Sequence, residues 1–294
     1  MIGEGILSTN QRKHTYVKEG RTVGFYTDPT LCIGCKACEV ACKEWNDVPD
    51  DGFRWSGNSY DNTDMLGAST WRHVLFVEQD RHRGQQLAGP MSGDALSDLT
   101  DHEDPFRWLF LSDVCKHCEE AGCLEACPTG SIVRTETQTV LVQDEICNGC
   151  GYCVVSCPFG VIDRRKKSAP KGGGAFKCTF CYDRQASGLV PACAKACPTE
   201  SILFGPLDEL RPHAAKRVEH LRAIGYPDAQ NYDPQETSVK GIHAFFMILG
   251  EPEAYGLPPK PQVPTIHLRA SWTAAFATAL GALGLSLAAF AYFG

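Results

Sequence analysis

Sixteen cysteines carry most of the chemistry available to this 294-residue chain, and they fall into four quartets with none left over. The first is Cys32-x2-Cys35-x2-Cys38-x3-Cys42, and the third repeats its spacing as Cys147, Cys150, Cys153 and Cys157, followed by Pro158. The second, Cys115, Cys118, Cys123 and Cys127 followed by Pro128, has a wider middle gap. The fourth, Cys178, Cys181, Cys193 and Cys197 followed by Pro198, opens that gap much further. Four thiolates at such spacing suit a [4Fe–4S] cubane, which needs one soft ligand at each iron. Two-residue gaps let one tight loop wrap three corners of a cube. A three-residue gap puts Cys38 and Cys42 one helical turn apart on the same face, so Cys42 points away from the loop and can reach a neighbouring cube.

In the bacterial ferredoxin run the fourth cysteine ligates the other cluster of a two-cluster unit. Four quartets therefore imply four clusters in two pairs, a wire for single electrons. Two other uses of cysteine compete. A disulfide framework fits poorly, because repeated triplets at two-residue gaps suit a metal better than bridges. Structural zinc also takes four cysteines, but zinc ribbons pair two CxxC knuckles and lack the trailing x3-Cys-Pro present three times here. The chain has no CxxCH for covalent haem, and no G-x-G-x-x-G or P-loop for a nucleotide. It has wires but no evident place for substrate chemistry, so an enzyme partner is expected at one end.

The elements that must hold these quartets are short. The 28 Gly and 18 Pro fit a loop-rich α+β protein organised around cofactors. Ser131–Arg134 and Thr139–Val142 flank a turn and read as a small hairpin leading into quartet three. Residues 115–157 thus form one compact two-cluster unit. Quartets one and four are left to pair across it, giving an interrupted unit with the other inserted. The expected organisation is an N-terminal arm over 1–27, an outer unit over 28–50 and 170–205, and a strand-containing insertion over 51–106. An inner unit follows over 107–169, then a helix and Pro-rich linker over 206–268, and a membrane helix over 269–294. Trp71–Glu78 and Phe106–Leu111 are apolar enough for strands, and the polar stretch Gly84–Asp104 between them reads as a surface insertion. Leu207, Leu210, Ala214, Val218 and Leu221 keep a helical period that stops before Gly225, with Pro212 blurring its start. Ile242–Leu249 is a strand or buried helix, and Leu257–Val263 a stiff linker. His117 and His267 are expected at the surface or beside a site rather than as ligands. The net charge of −7 argues against nucleic acid, and the basic run Arg164–Lys167 reads as a solvated loop.

Met1–Gly20 has no apolar core and no twin arginine, so by itself it is not a signal peptide. The 25 residues from Ala270 to Gly294 contain no Asp, Glu, Lys or Arg. About 20 apolar residues cross a bilayer, and Trp272 and Tyr292 sit where interfacial aromatics belong. Ala274, Ala277, Gly281, Gly284, Ala288 and Ala291 form a small-residue face suited to a neighbouring membrane helix. With no histidine in it, this helix cannot supply one to an intramembrane haem.

The four quartets in this order resemble the iron–sulfur subunits that accompany molybdenum or tungsten bis-pterin oxidoreductases. The beta subunit of membrane-bound, quinone-linked formate dehydrogenase is the more specific match. The residues carrying it are Cys32-Ile-Gly-Cys-Lys-Ala-Cys38, Glu44-Trp-Asn-Asp47 and Cys147-Asn-Gly-Cys-Gly-Tyr-Cys-Val-Val-Ser-Cys-Pro-Phe159. Arg222-Ala-Ile-Gly-Tyr226, Tyr255-Gly-Leu-Pro258 and the C-terminal span extend it over nearly the whole chain.

That resemblance implies two pseudo-symmetric bacterial-ferredoxin-like two-cluster units plus one C-terminal transmembrane helix. It implies interleaved ligation: Cys32, Cys35, Cys38 and Cys197; Cys42, Cys178, Cys181 and Cys193; Cys115, Cys118, Cys123 and Cys157; Cys127, Cys147, Cys150 and Cys153. The chain itself is then non-catalytic. It relays electrons during anaerobic respiration from a molybdenum/tungsten-pterin formate dehydrogenase subunit to a membrane cytochrome b subunit that reduces quinone. The same relay in another molybdopterin oxidoreductase or a hydrogenase is the alternative, with a zinc-binding structural protein behind it. The family places the globular part on the periplasmic side of the cell membrane, whereas Lys260 and Arg269 before the helix mildly favour the opposite orientation.

Overall fold

A computed structural model describes residues 13–52, 55–57, 60–80, 106–166 and 172–293. Its centre is a mixed sheet with strand order β8 (Ile202–Pro206), β1 (Val23–Thr27), β10 (Ala244–Leu249), β9 (Ala229–Tyr232). β1 runs parallel to β10 and antiparallel to β8, with Phe25 opposite Ala244 on one side and Phe204 on the other. Because strand side chains alternate between faces, this sheet separates two hydrophobic cores. Val23, Phe25, Ile202 and Phe204 face the core that contains Cys38, Cys42, Cys178 and Cys193. Tyr26 and Leu203 face the core that contains Cys118 and Cys153.

The arm expected over 1–27 is therefore not all arm. Val23–Thr27 is buried along its whole length. Five residues buried on both faces show no polar alternation, so they carry no strand period to read. The region 206–268 likewise holds more than a helix and linker, since β9 and β10 complete the central sheet. The expected helix is α7 (Leu207–Ala223), with Pro212 inside it and the five periodic residues all buried.

The remaining strands form two-stranded sheets. β2 (Arg72–Asp80) and β3 (Phe106–Val114) are antiparallel, with Leu75 opposite Leu111. The hairpin of β4 (Ile132–Arg134) and β5 (Val140–Val142) is present, and β6 (Asp163–Arg164) pairs with β7 (Ala175–Phe176). The expected insertion Gly84–Asp104 lies outside the described residues. The basic run is not uniformly solvated. Arg164 and Lys166 are exposed, but Arg165 is buried, donates to the Ala68 carbonyl and lies 3.9 Å over the Phe176 ring. Its flat guanidinium stacks on aromatics in a way that a charge count cannot reveal.

Leu257 and Val263 are buried, so the Pro-rich segment packs on the core at both ends instead of spanning free space. It leads through a 3-10 turn, Pro264–His267, into α8 (Leu268–Phe293). At 26 residues, α8 is about 39 Å long, enough for a hydrocarbon layer of about 30 Å. It is the one helix among the described residues long and apolar enough to cross a membrane, and none of its apolar window is covered by the rest of the chain. Thr278 and Ser286 donate back to the Ala274 and Ala282 carbonyls, so their hydroxyls are satisfied without water.

Candidate metal centres

Each quartet opens with a CxxC knuckle, and the third residue of all four knuckles is left-handed: Gly34 (φ 67°), His117 (φ 45°), Gly149 (φ 71°) and Phe180 (φ 59°). This turn brings the two flanking thiols to one side. Glycine takes the conformation freely, whereas His117 and Phe180 are held in it by packing. Their rings meet edge-to-face at 4.6 Å, and both side chains are buried. The three Cys-Pro turns also recur, each reaching a left-handed residue three positions after its cysteine, at Gly130, Gly160 and Glu200.

Two short helices, α1 (Tyr16–Glu19) and α5 (Tyr182–Ala186), carry no quartet cysteine, and others present further thiols. Cys38 and Cys42 are buried on one face of α2 (Ala37–Asn46). Cys123 lies on α3 (Gly122–Glu125), Cys153 on α4 (Tyr152–Val155) and Cys193 on α6 (Ala192–Ala196). Pairs of these helices pack together, α2 on α6 and α3 on α4. Quartet one is thereby set against quartet four, and quartet two against quartet three.

The thiols gather across quartets. Burial pushes the Cys42 thiol well up, and Cys178, Cys193 and Cys181 around it push further the same way. Cys118 is raised likewise by burial and then by Cys115, Cys157 and Cys123. Cys153 is pushed up to about 11 by burial and by Cys147, Cys127 and Cys150. Cys32 is raised by burial and has Cys197 and Cys35 beside it. Cys38 turns elsewhere: burial pushes it up to about 12 against the pull of Arg72, and the thiol acting on it is Cys193. Cys127 is the exception in sign. Against its partial burial, the hydroxyls of Ser131 and Thr129 and the N–H groups of Ile132 and Thr129 bring it down to about 7.

Several groups are already arranged for negative sulfur. The Phe180 N–H donates to Cys178 Sγ at 3.3 Å and the Ala175 N–H to Cys147 Sγ at 3.4 Å. Asn46 Nδ2 lies 3.7 Å from Cys42 Sγ and 3.8 Å from Cys181 Sγ. His117 Nδ1 accepts from the Val140 N–H, which leaves the proton on Nε2. That Nε2 is buried with no protein partner. His117, placed by sequence either at the surface or beside a site, is thus fully buried between two cysteines, while His267 lies in the turn before α8.

Three buried cations complete the surroundings. Arg72 reaches Cys193, and Lys177 sits among Cys115, Cys123 and Cys178. Lys116 pairs with Asp113 and lies over the Phe159 and Phe246 rings. Sequence reasoning missed all three. The lysines had a visible signal, since each stands next to a quartet cysteine. Arg72 had none, being a lone charge at the start of an apolar strand.

These surroundings fit a cubane. Cys115, Cys118, Cys123 and Cys157 line one cavity together with His117, Lys177 and the apolar Ala121, Val140 and Ile162. A tetrahedral zinc draws its sulfurs to about 2.3 Å from one centre, whereas a cube with one thiolate per corner spreads them. Thiols raised by burial lose their protons on binding iron.

Interleaved knuckles, short packed helices and grouped buried thiols define an iron–sulfur electron-transfer protein of the ferredoxin class. Two family models, each described as a 4Fe-4S dicluster domain, match residues 31–131 and 106–207. The chain is 38% identical over 240 residues to the formate dehydrogenase iron–sulfur subunit of Haemophilus influenzae, covering 80% of this chain and 68% of the relative. It is 38% identical over 242 residues to the nitrate-inducible formate dehydrogenase iron–sulfur subunit of Escherichia coli, covering 81% and 73%. A polypeptide of the anaerobic dimethyl sulfoxide reductase of Escherichia coli is 34% identical over 190 residues, covering 64% and 75%. The chain belongs to the family of formate dehydrogenase iron–sulfur subunits. It is an electron-transfer subunit, with four [4Fe–4S] clusters drawn from its sixteen cysteines.

Proposed function

We propose that the chain relays single electrons from a molybdenum/tungsten-pterin formate dehydrogenase subunit to a membrane cytochrome b subunit that reduces quinone. The ligand sets are Cys32, Cys35, Cys38 and Cys197 for the first cluster and Cys42, Cys178, Cys181 and Cys193 for the second. Cys115, Cys118, Cys123 and Cys157 hold the third, and Cys127, Cys147, Cys150 and Cys153 the fourth. The bound clusters supply one-electron redox chemistry, and the chain supplies burial, spacing and charge. The observation that carries a linear relay is the order of thiols facing one another between sets: Cys38 with Cys193, Cys178 with Cys115, and Cys123 with Cys153. The ends of that order carry the two exposed cysteines, Cys35 and Cys150.

The repeated left-handed knuckles and Cys-Pro turns support two pseudo-symmetric units. The boundaries follow the sequence reading, with 107–169 inserted into an outer unit of 28–50 and 170–205, except that β1, β9 and β10 join them through the central sheet. Direction is supported by the root of α8. Thr265 donates to Glu125 on α3, and the Pro264 and Val263 side chains lie 3.4 Å from where a Cβ on Gly122 would stand. The inner unit is therefore the membrane-proximal end, and the outer unit faces the catalytic subunit. The periplasmic side is taken from the family.

Cys153→Ala in the intact complex tests this reading. Quinone reduction by formate is expected to vanish while formate oxidation with a dye acceptor partly survives. Retention of both activities would sink the relay.

A further inference from the structure

Two fully buried cations lie where neighbouring thiol sets meet. The Arg72 guanidinium donates through Nη2 to Cys193 Sγ at 3.2 Å. Its Nη1 donates to the Ser112 carbonyl at 3.1 Å and lies 3.3 Å from Ser112 Oγ, which is itself 3.2 Å from Cys38 Sγ. Arg72 thus touches the second set directly and the first through one hydroxyl. Lys177 Nζ donates to the carbonyls of Val140 at 2.6 Å and Cys178 at 3.1 Å. The thiols of Cys115, Cys123 and Cys178 surround it, so it stands between the third set and the second.

Among the described residues, neither cation is paired with a carboxylate, unlike buried Lys116. An isolated buried cation is costly unless negative charge compensates it. A cubane with four thiolates is net negative, and one unit more so when reduced. A fixed cation beside it therefore favours the reduced form, strongly at low dielectric and less with distance.

We propose that Arg72 and Lys177 are positioning charges shared by adjacent clusters, Arg72 by the first and second and Lys177 by the second and third, each raising the reduction potentials of its pair. This rests on the ligand sets proposed above. The second cluster feels both charges. Its potential is therefore raised by two charges, and those of the first and third clusters by one each. The charges do not move and take no proton.

The test is a potential-resolved paramagnetic-resonance titration of the intact complex carrying Arg72→Gln, Arg72→Lys or Lys177→Met. Arg72→Gln is expected to lower the potentials of the first and second clusters and Lys177→Met those of the second and third. The expected change is about tenfold in the reduced-to-oxidised ratio, or about 59 mV for a one-electron couple. Arg72→Lys keeps the charge and is expected to restore most of the Arg72→Gln shift. If Arg72→Gln loses clusters, their retention in Arg72→Lys still supports the role of charge, and their loss in both overturns it. Unchanged potentials, a shift of the third cluster in Arg72→Gln or of the first in Lys177→Met, or iron loss from Lys177→Met would also overturn the proposal. A wild-type complex without four titrating clusters would fail the ligand sets themselves, a separate result from unmoved potentials.

Discussion

At the scale of single residues, Phe180 joins the two demands on a cluster knuckle. Its backbone is left-handed at φ 59°, and its ring is fully buried 4.2 Å from Phe25 and 4.6 Å from His117. Phe180→Ala removes the ring but keeps a Cβ in the strained conformation, and should cost about 3–5 kcal/mol. Phe180→Gly deletes one carbon more yet relieves a left-handed penalty of about 1–2 kcal/mol. The glycine variant is therefore expected to be at least as stable as the alanine one, read as the temperature at which visible cluster absorption is lost. A clearly weaker glycine variant would show that the knuckle stores no strain. Two of these turns were legible beforehand, because Gly34 and Gly149 announce them. The other two were not. His and Phe carry no local signal for positive φ, and only their mutual packing keeps them there.

Elements are held together by close approaches that exclude side chains. A Cβ on Gly24, the second residue of β1, would stand 2.3 Å from Leu207 Cδ2 and 2.5 Å from the His243 carbonyl. The helix α7 and the chain entering β10 both press on that point. Gly24→Val is thus expected to part α7 from the central sheet and release iron from both cores, measured as iron per protein and loss of far-ultraviolet circular dichroism. Unchanged iron and structure would mean that β1 is not the hub that its pairings imply. Gly149 is a second such point, since its Cβ would meet the Gly173 carbonyl at 2.0 Å. That contact ties the glycine loop after β6 to quartet three. Gly149→Ala is expected to cost more than the roughly 1–2 kcal/mol of a left-handed alanine, with Cys147 and Cys150 losing their iron first. The helix α7 and the β4–β5 hairpin were readable because each has a period and a stop. β1 was not, because a short strand buried on both faces looks like any apolar run.

The whole molecule separates a packed electron-transfer body from a helix that packs on none of it. Because α8 contributes nothing to either core, removing residues 270–294 should leave iron content and dye-linked electron transfer intact. The truncated subunit should leave the membrane fraction, and formate-to-quinone activity should fall to background. Truncation that costs iron would instead make α8 a structural part of the body. The small-residue face, with Gly281 and Gly284 open on all sides, suits a neighbouring helix in the membrane.

The sequence by itself determined the cofactor and the relay, because cysteine spacing is dictated by the corners of a cube and by the turn of a helix. It also determined a C-terminal helix long and apolar enough to cross a membrane, since charge-free length is a property of the chain alone. Tertiary structure decided what surrounds each cluster. Arg72, Ser112 and Cys193 come from distant parts of the chain, and only folding brings them together. A charge buried beside sulfur leaves no periodic mark in sequence, because its effect depends on distance and dielectric, which exist only once the cores have closed.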